Sequence, residues 1–446
     1  MTPGFDVVVV GAGPGGMAAA IAAEAGRRVC LLDDNAGPGG QIWRGYRAET
    51  AGKYPHGAGF RRWAERLQRS GCEVWMGWQA IDHPAPGLLR LERAGERRDV
   101  EFRNLIVATG ARERFLPFPG WTLPGVMGVG GLHALVKGGL DARGKRVVLA
   151  GSGPLLLAVG AGLASAGARV EGIYEQAPLA RLARLAISLL GQPGKLLEGA
   201  RYRLRALGAA YRTGVWVVRA EGGGRVESVT LTDGRKQWRV ECGWLGCGFN
   251  LVPNLELPRL LGCRIAEGFV AVDRMQQSSV PGVACVGELT GVGGLEKALV
   301  EGQIAGLAAA GRIAEALALE PRRRRLQQFA ERLERAFALR AELRTLATAE
   351  TLVCRCEDVS NAALEGCANW RAAKLHTRCG MGACQGRVCG AAAEFLFGWE
   401  NTSARPPAFP AAVSTLAAGM DAFGLATEST NNGPHSEMPP ASVFAD

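Results

Sequence analysis

The 446-residue chain has no apolar run long enough to cross a membrane. A spanning helix needs about 18 or more consecutive apolar residues, and the longest candidate, 155–168, is interrupted by Gly160, Gly162 and Ser165. The residues before Val7 include no basic segment and no cleavage site, so export by a signal peptide is not expected. These absences predict a cytoplasmic location without a membrane span. Attachment to a membrane through a partner or an electron acceptor stays open.

Histidine is scarce, and no histidine stands in a recognisable pairing of base and nucleophile. The five histidines are His56, His83, His133, His376 and His435. Because histidine is the most frequent general acid or base, the sequence names no catalytic residue. An oxidoreductase is not excluded, since the protein's part in hydride transfer to a bound cofactor is mainly positioning.

The chain also has little net charge for its length. It carries 52 Lys and Arg against 42 Asp and Glu, a net charge of +10. The basic residues are scattered, and the one dense run, 322–325, follows a proline in a predicted linker. We therefore expect no nucleic-acid partner. With 48% hydrophobic residues and 63 glycines, the composition predicts a folded α/β protein with many tight turns.

A first nucleotide-binding fold is predicted at the start of the chain. The apolar segment 5–10 predicts a buried strand, and it runs directly into a Gly-x-Gly-x-x-Gly turn and a helix. The turn residues are Gly11, Gly13, Pro14, Gly15 and Gly16. A second strand ends at Asp33 and Asp34, about 20 residues later, where a carboxylate binds ribose hydroxyls. The fingerprint itself serves FAD and NAD equally.

A second nucleotide-binding fold is predicted from a second glycine turn. The strand 145–150 leads into Gly151 and Gly153, but Leu156 replaces the third glycine, so helix and strand should lie further apart. The next strand ends at Glu175, a second candidate ribose ligand. No arginine pair is placed for a 2′-phosphate, which favours NAD or another adenine nucleotide over NADP. A fold kept only for architecture is the alternative.

The cysteines divide into dispersed residues and a C-terminal group. A dithiol reductase would need a redox pair in the second fold, but Cys242 and Cys247 are separated by four residues and are expected to be small apolar residues. Cys354, Cys356, Cys384 and Cys389 form two close pairs among glycines. Four thiolates in this pattern bind zinc or an iron–sulfur cluster. Cys-x-Cys spacing is unusual for zinc.

Three further segments resemble the two-dinucleotide-domain flavoproteins similar to thioredoxin and glutathione reductases. They are Pro38-Gly39-Gly40-Gln41-Ile42, Leu105-Ile106-Val107-Ala108-Thr109-Gly110 and Val286-Gly287-Glu288. The resemblance implies FAD in the first fold, with further contacts from Gly40, Gln41, Ala108, Thr109, Gly110, Gly287, Glu288, Gly294 and Leu295. The family usually has aspartate where this chain has Glu288, so the contact of this longer side chain is expected to be indirect.

The C-terminal block resembles the bacterioferritin-associated-ferredoxin-like (BFD-like) [2Fe-2S] domain. The segment Gly380-Met381-Gly382-Ala383-Cys384-Gln385-Gly386-Arg387-Val388-Cys389 carries that resemblance together with Cys354-Arg355-Cys356. It implies that Cys354, Cys356, Cys384 and Cys389 hold the cluster. Cys367 and Cys379 lie outside the motif and are expected to be bystanders, although Cys379 is near enough to substitute in a mutant.

Along nearly its whole length, ending with Arg405-Pro406-Pro407, the chain resembles the α-type subunits of opine oxidases, hydrogen cyanide synthase and heteromeric D-hydroxyproline or proline dehydrogenases. The resemblance implies an electron-transfer subunit with FAD and [2Fe-2S], and a separate β subunit resembling D-amino-acid or sarcosine oxidases that oxidises the C–N bond. Further expected partners are an electron acceptor and a small ferredoxin-like subunit. A self-sufficient NAD(P)H:acceptor reductase and a non-catalytic binding protein are the alternatives.

The expected architecture is α/β, with two nested Rossmann-like domains, a helical linker and a small C-terminal [2Fe-2S] domain. The predicted boundaries are 1–115 and 251–315 for the FAD domain, 116–250 for the inserted nucleotide domain, 316–350 for a linking helical pair, 351–410 for the cluster domain and 411–446 for a tail. The end of the tail, 424–446, is rich in Ser, Thr, Asn and Pro, which predicts disorder.

Overall fold

The computed structural model describes residues 2–45, 57–190, 193–205, 208–400 and 404–417. In chain order the strands are β1 Gly4–Val10, β2 Val29–Asp33, β3 Glu73–Met76, β4 Gln79–Ala85, β5 Leu88–Arg93, β6 Glu96–Val107, β7 Ala111–Glu113, β8 Val126–Gly128, β9 Arg146–Ser152, β10 Arg169–Glu175, β11 Ala210–Thr213, β12 Trp216–Glu221, β13 Ser228–Thr232, β14 Gln237–Glu241, β15 Trp244–Phe249, β16 Leu251–Pro253, β17 Ile265–Ala266, β18 Phe269–Val270, β19 Val283–Cys285, β20 Leu352–Cys354 and β21 Val359–Ser360.

The α-helices are α1 Pro14–Ala23, α2 Gly57–Arg69, α3 Val129–Lys137, α4 Leu155–Ser165, α5 Leu179–Ser188, α6 Pro193–Arg205, α7 Glu256–Leu260, α8 Leu295–Ala309, α9 Ile313–Ala336, α10 Trp370–Thr377, α11 Cys389–Phe397 and α12 Val413–Ala417. No helix among the described residues combines the length and apolar character that a membrane span requires.

The first sheet has the strand order β3-β2-β1-β6-β5-β4, with β19 also paired to β6. Strand β1 is parallel to its neighbours β2 and β6, while β4 and β5 are antiparallel additions. Side chains alternate across a strand, so Val8 and Val10 join one hydrophobic core and Val7 and Val9 join the other. This burial on both faces explains the continuous apolar sequence of β1.

Helices α1 and α8 touch backbone to backbone beneath this sheet. A Cβ atom on Gly302 would overlap the carbonyl oxygen of Gly15, and one on Gly306 would overlap that of Ala19. The small residues on both helices permit this approach. The contact brings the N-terminus of α8, which follows Gly294, next to the first glycine turn.

The second sheet is wholly parallel, in the order β11-β10-β9-β15-β8. Leu156, which replaces the third glycine, is buried in the core between α4 and the sheet. The close approach of helix to strand occurs instead at Gly160, where a Cβ atom would come within 2.6 Å of Ile173 Cδ1. Gly160 lies about one helical turn after Leu156 along α4.

The linker differs from the expected helical pair. A single helix, α9, runs through Pro321, and a 3-10 helix, Ala341–Thr345, follows it. Arg323, from the dense basic run, is held by Glu320, with Nε to Oε2 at 2.5 Å. The basic run therefore lies on a continuous helix.

The C-terminal segment folds around Trp370. The side chain is buried among Cys354, Cys379 and Cys389, and Cβ atoms on Gly380 and Gly386 would both lie within 3 Å of its ring. The segment also packs on the second fold, because Ala392 of α11 and Leu343 share a core with strands β9 and β13. Only residues 411–417 of the predicted tail are described, so the expected disorder of 424–446 lies outside the described residues.

We expect Gly302→Ala to lower the free energy of unfolding by about 2 kcal/mol, because the added methyl group must separate α1 from α8. The measurement is the midpoint of urea or thermal unfolding. Gly199→Ala is the matched control: Gly199 lies on α6 with no atom within 4 Å of its Cβ position, so alanine should stabilise the protein by up to about 1 kcal/mol. Equal midpoints for the two variants would contradict the close helix contact.

Candidate functional site

The first glycine turn contains glycines that serve different purposes. Gly16 is required by the fold, because its Cβ atom would overlap the carbonyl oxygen of Gly11. Gly13 is not: its φ is −70°, and the nearest atom to a Cβ there would be Gly40 Cα at 3.8 Å. The missing side chain of Gly13 therefore leaves open a space that the protein itself does not fill. A pyrophosphate group that approaches the backbone would fit this space.

The two carboxylates after β2 lie at the edge of the same space. Asp33 is buried, and its Oδ2 accepts a hydrogen bond from the backbone N–H of Ala12 at 2.6 Å. Its Oδ1 accepts from the backbone N–H of Asn35 at 2.8 Å. Burial, followed by the neighbouring Asp33 charge, raises the pKa of Asp34. Asp33 and Asp34 both face the cavity, along with Gly40 and Gln41.

A buried ion pair holds the segment around Glu288. The side chains of Lys297 and Glu301 are each about 1% exposed, and their charged groups are 2.9 Å apart. Lys297 Nζ donates to the carbonyl of Gly287 at 3.0 Å, and the N–H of Gly287 donates to Glu301 Oε2 at 2.9 Å. Both backbone groups of Gly287 are thus fixed by α8.

Glu288 itself points into the cavity. Its Oε1 accepts from the N–H of Gly294 at 2.9 Å. Its Oε2 is buried and has no hydrogen-bond partner among the described residues, and burial raises the pKa of the side chain. An unpaired buried acceptor beside the N-terminus of α8 fits a bound molecule that donates a hydrogen bond, as a ribityl hydroxyl does. Leu295 and Gly294 line the same region.

A hydrogen-bond network leads from the Ala108-Thr109-Gly110 turn to the cysteine segment. Asn254 Nδ2 donates to the carbonyl of Thr109 at 2.8 Å, and Arg112 Nη1 donates to Asn254 Oδ1 at 2.7 Å. Arg112 Nε then donates to the carbonyl of Arg387 at 3.1 Å. Arg387 lies between Cys384 and Cys389. The network therefore joins the predicted flavin turn to the backbone of the predicted cluster loop.

These parts surround one continuous cavity of about 3640 Å³. Its wall includes the first glycine turn, the second glycine turn and the segment Gln385–Arg387. Arg405, Pro406 and Pro407, which also belong to the family pattern, line it as well. The cavity is large enough for more than one cofactor-sized molecule.

The acidic residue of the second fold is engaged by its glycine turn in the same way as Asp33 in the first fold. Both oxygens of Glu175 are engaged within the protein: Oε2 accepts from the N–H of Gly153 and Oε1 from that of Ala177, each at 2.8 Å. The side chain is about 1% exposed, and burial raises its pKa to about 7. Gly151 and Gly153 both have positive φ, so the turn keeps its glycine geometry. Of these residues, Gly153 lines the cavity.

The structure brings five C-terminal thiols together. The Sγ atoms of Cys354, Cys379 and Cys389 lie within 4.8 Å of one another, all buried. Cys384 is half-buried, and its thiol contacts those of Cys389 and Cys356; the contact with Cys389 lowers the pKa of Cys384. Cys356 is exposed. The N–H of Gly380 donates to Cys354 Sγ at 3.5 Å, as expected around thiolate sulfur.

One of these thiols lies outside the predicted ligand motif but was expected near it. Cys379, set aside as a bystander, lies inside the sulfur group, whereas Cys367 packs beside it in the small core. Cys242 and Cys247 are buried in the core of the second fold, and burial raises the pKa of Cys242 to about 12. Their inert apolar surroundings agree with the absence of a redox pair in their sequence.

The titratable groups near the flavin turn are mostly engaged. Glu113 accepts from the N–H groups of Gly130 and Gly131, with oxygen–nitrogen distances of 2.5 and 3.1 Å. His133 lines the cavity, and burial lowers its pKa to about 4, so it is neutral at pH 7. His56 and His435 lie outside the described residues.

Sequence reasoning missed Arg112, Asn254, Lys297 and Glu301. A signal existed only for the last two, because a lysine and a glutamate four residues apart interrupt an otherwise apolar helix. Residues of this kind pair on one helix face. The hydrogen bonds that Lys297 and Glu301 make with the backbone of Gly287 could not be predicted from the helix sequence alone.

We expect Lys297→Met to destabilise the protein by about 3 kcal/mol or more, because Glu301 would keep a buried charge without its partner. The turn at Gly287 should loosen, so less FAD should remain after gel filtration. Arg312→Met is the control, since it breaks an exposed i,i+3 pair and should change neither reading. Lys297→Met with Glu301→Leu should recover part of the loss. A Lys297→Met protein as stable and as FAD-rich as Arg312→Met would refute this role.

Comparison with known proteins agrees with these features. The family model of pyridine nucleotide-disulphide oxidoreductases matches residues 5–313. The chain is 35% identical over 419 residues to the HcnB subunit of hydrogen cyanide synthase from Pseudomonas aeruginosa, covering 86% of this chain and 90% of that protein. It is 37% identical over 423 residues to the A subunit of opine oxidase from Rhizobium meliloti, with the same coverage of 86% and 90%.

Among solved structures, L-proline dehydrogenase from P. horikoshii is similar in fold, with a TM-score of 0.68 at 18% identity, covering 93% of this chain and 80% of that one. The α/β fold with Rossmann-like domains is confirmed. The family indicates binding of FAD and of a pyridine nucleotide, and it identifies an oxidoreductase. The predicted resemblance is confirmed: the chain belongs to the pyridine nucleotide-disulphide oxidoreductase family, in the group that contains the HcnB subunit of hydrogen cyanide synthase and the A subunit of opine oxidase.

Proposed function

We propose that the chain is the electron-transfer subunit, with FAD and a [2Fe-2S] cluster, of a heteromeric amine or imino-acid dehydrogenase or oxidase. The observation that carries the proposal is the shared cavity: Gln385–Arg387, inside the cysteine loop, lines the same space as Thr109 and Gly110. Arg112 ties the two segments together. A one-electron centre placed beside a flavin suits a relay, because a flavin exchanges electrons singly and in pairs.

FAD would be held in the first fold. Gly13 leaves room for the pyrophosphate, and Gly40 packs closely against Gly13, with its Cβ position 2.9 Å from Gly13 Cα. Asp33 and Asp34 are placed for the ribose, and the free oxygen of Glu288 is placed for the ribityl chain. The flavin end of the cofactor would meet the N-terminus of α8 after Gly294. The remaining predicted contacts are Gly11, Pro14, Gly15, Gly16, Gln41, Ala108, Thr109, Gly110, Gly287 and Leu295.

The cluster would be held by Cys354, Cys356, Cys384 and Cys389. Sulfur-only donors suit iron–sulfur chemistry. Zinc remains the competing metal for any all-cysteine site. Iron, acid-labile sulfide and zinc analyses of the purified chain separate the two.

Substrate oxidation would take place on a partner. The relatives are named as subunits of opine oxidase and hydrogen cyanide synthase, so an opine, D-hydroxyproline, proline or glycine is the expected substrate class. A flavoprotein resembling D-amino-acid or sarcosine oxidases would carry that step, and a small ferredoxin-like subunit or another acceptor would receive electrons. Glu113 and His133 support this division. Glu113 is already hydrogen-bonded to two backbone N–H groups, and His133, with its pKa lowered to about 4 by burial, is a weak proton acceptor at neutral pH. The assembly would work in the cytoplasm.

The second fold supports a second candidate function. Gly153 and the flavin turn line one cavity, so NAD or another adenine nucleotide bound there could lie next to FAD. A self-sufficient NAD(P)H:acceptor reductase would follow if the nicotinamide reached the flavin. Glu175 does not separate the two candidates, because Asp33 of the first fold has the same pattern of backbone partners on both oxygens. The domain boundaries predicted from the sequence belong to the first proposal, that of an electron-transfer subunit.

We expect Gly13→Val to fold normally and to lose FAD. The protein tolerates a side chain at this position, since no protein atom lies closer than 3.8 Å to its Cβ, whereas a pyrophosphate against the backbone would not. The measurement is flavin absorbance per chain together with the thermal midpoint. Gly223→Val is the control: Gly223 is exposed, is not among the glycines with positive φ, and has no atom closer to its Cβ position than Glu227 Oε1 at 4.0 Å, so this variant should keep FAD. Full FAD occupancy in Gly13→Val would show that the cofactor lies elsewhere.

We expect the isolated chain to oxidise no amine, imino acid or opine at a significant rate, and to be reduced rapidly once the partner flavoprotein and its substrate are present. Stopped-flow spectra of the flavin and iron–sulfur bands, with and without the partner, measure this. Rapid flavin reduction by an amine in the chain alone would place substrate oxidation here and reject the relay. Bleaching of the flavin by NADH in the chain alone would instead support the reductase.

A further inference from the structure

The cysteine group contains one thiol more than a [2Fe-2S] cluster requires. Such a cluster is held by four protein ligands, and the structure gathers the thiols of Cys354, Cys356, Cys379, Cys384 and Cys389. The additional cysteine, Cys379, lies inside the group of thiols. Cys379 is fully buried, and its Sγ is within 4.8 Å of both Cys354 Sγ and Cys389 Sγ.

The backbone around Cys379 holds the thiol in this place. Helix α10 ends at Thr377, and the next residue, Arg378, adopts a left-handed conformation with φ 64°. The Arg378 side chain is anchored by Glu357 at 2.7 Å. Gly380, directly after Cys379, packs against Trp370 so closely that a Cβ there would lie 2.5 Å from the ring. The thiol is therefore directed inward by a fixed turn.

The five thiols divide into two sides. Cys354, Cys379 and Cys389 form the buried side. The other side consists of exposed Cys356 and half-buried Cys384, whose thiols contact each other; the Cys384 thiol also contacts that of Cys389. Cys379 is a neighbour of the two buried ligands. The motif ligands on the exposed side have no comparable spare thiol among the described residues.

We propose that Cys379 is a reserve ligand of the cluster, able to replace Cys389 or Cys354 but not Cys384 or Cys356. The inference rests on the proposed function, because it presupposes that the cluster is present. In the exchange, the Cys379 thiol loses its proton to solvent, and its sulfur forms the Fe–S bond that the removed residue would have made. No electron is transferred, so no oxidant or reductant is needed.

The test compares alanine variants, because alanine offers no ligand atom. Cys389→Ala should keep a [2Fe-2S] cluster with altered absorption and electron paramagnetic resonance spectra, and Cys379→Ala alone should keep the wild-type iron content. Cys389→Ala with Cys379→Ala should hold at least about tenfold less iron and sulfide per chain. Cys384→Ala should lose the cluster although Cys379 is present. Cys389→Ala with Cys367→Ala is the matched control and should behave like Cys389→Ala.

FAD content and the thermal midpoint report folding in every variant, since none of the predicted FAD contacts is a cysteine. Loss of the cluster in Cys389→Ala and in Cys354→Ala, as complete as in the double variant and with FAD retained, would overturn the reserve role. Retention of the cluster in Cys384→Ala would also overturn it, because exchange would then not be limited to the buried side. A wild-type chain that contains zinc or no metal would reject the proposed function itself.

Discussion

The guanidinium of Arg112 determines how the cysteine segment lies against the first nucleotide fold. It bonds to three acceptors from different parts of the chain: the side-chain oxygen of Asn254, the carboxylate of Glu256 and the carbonyl of Arg387. Hydrogen bonds from a charged donor are stronger than neutral ones, and this side chain is only partly exposed. Since Arg112 is three residues from Thr109, the flavin turn and the cysteine loop are held as one unit. The C-terminal segment is thus not attached by a linker alone.

The linker is itself anchored, and the second nucleotide fold provides the anchor. Ser152 and Asn250 both donate side-chain hydrogen bonds to the carbonyl of Phe337, at 2.9 and 3.0 Å. Arg181 and Gln176 donate to the next carbonyl, that of Ala338. Most of these donors lie at or just beyond the carboxyl ends of the parallel strands, where an α/β sheet usually presents its ligand groups. The second fold therefore holds the linker at the edge of the crevice in which a nucleotide would bind, whether or not a nucleotide is present.

The parts of the site that sequence predicted are those specified by short segments. The glycine turns follow their strands directly, and Asp33 lies at the end of β2, because a buried strand, a tight turn and a helix are adjacent in the chain. Which residues from other segments of the chain lie next to these turns could not be predicted from the sequence. Cys379 enters the sulfur group because of a left-handed residue and a glycine packed on Trp370, and both depend on the tertiary position of that ring. The role of Lys297 and Glu301 was not predictable either, since the Gly287 backbone that they hold comes from another segment.

The two sides of the cysteine loop face different surroundings. Gly386 and its neighbours line the cavity, while Cys356 is exposed and Met381 and Val388 present apolar side chains to solvent. Half-buried Cys384 is directly followed by Gln385, which lines the cavity. Consecutive Cα atoms are about 3.8 Å apart. A cluster bound here would be close to the flavin cavity at one side and to the protein surface at the other. In the proposed relay, an external electron-transfer partner would approach the cluster at exposed Cys356, because the side with Cys354 and Cys389 is enclosed by protein.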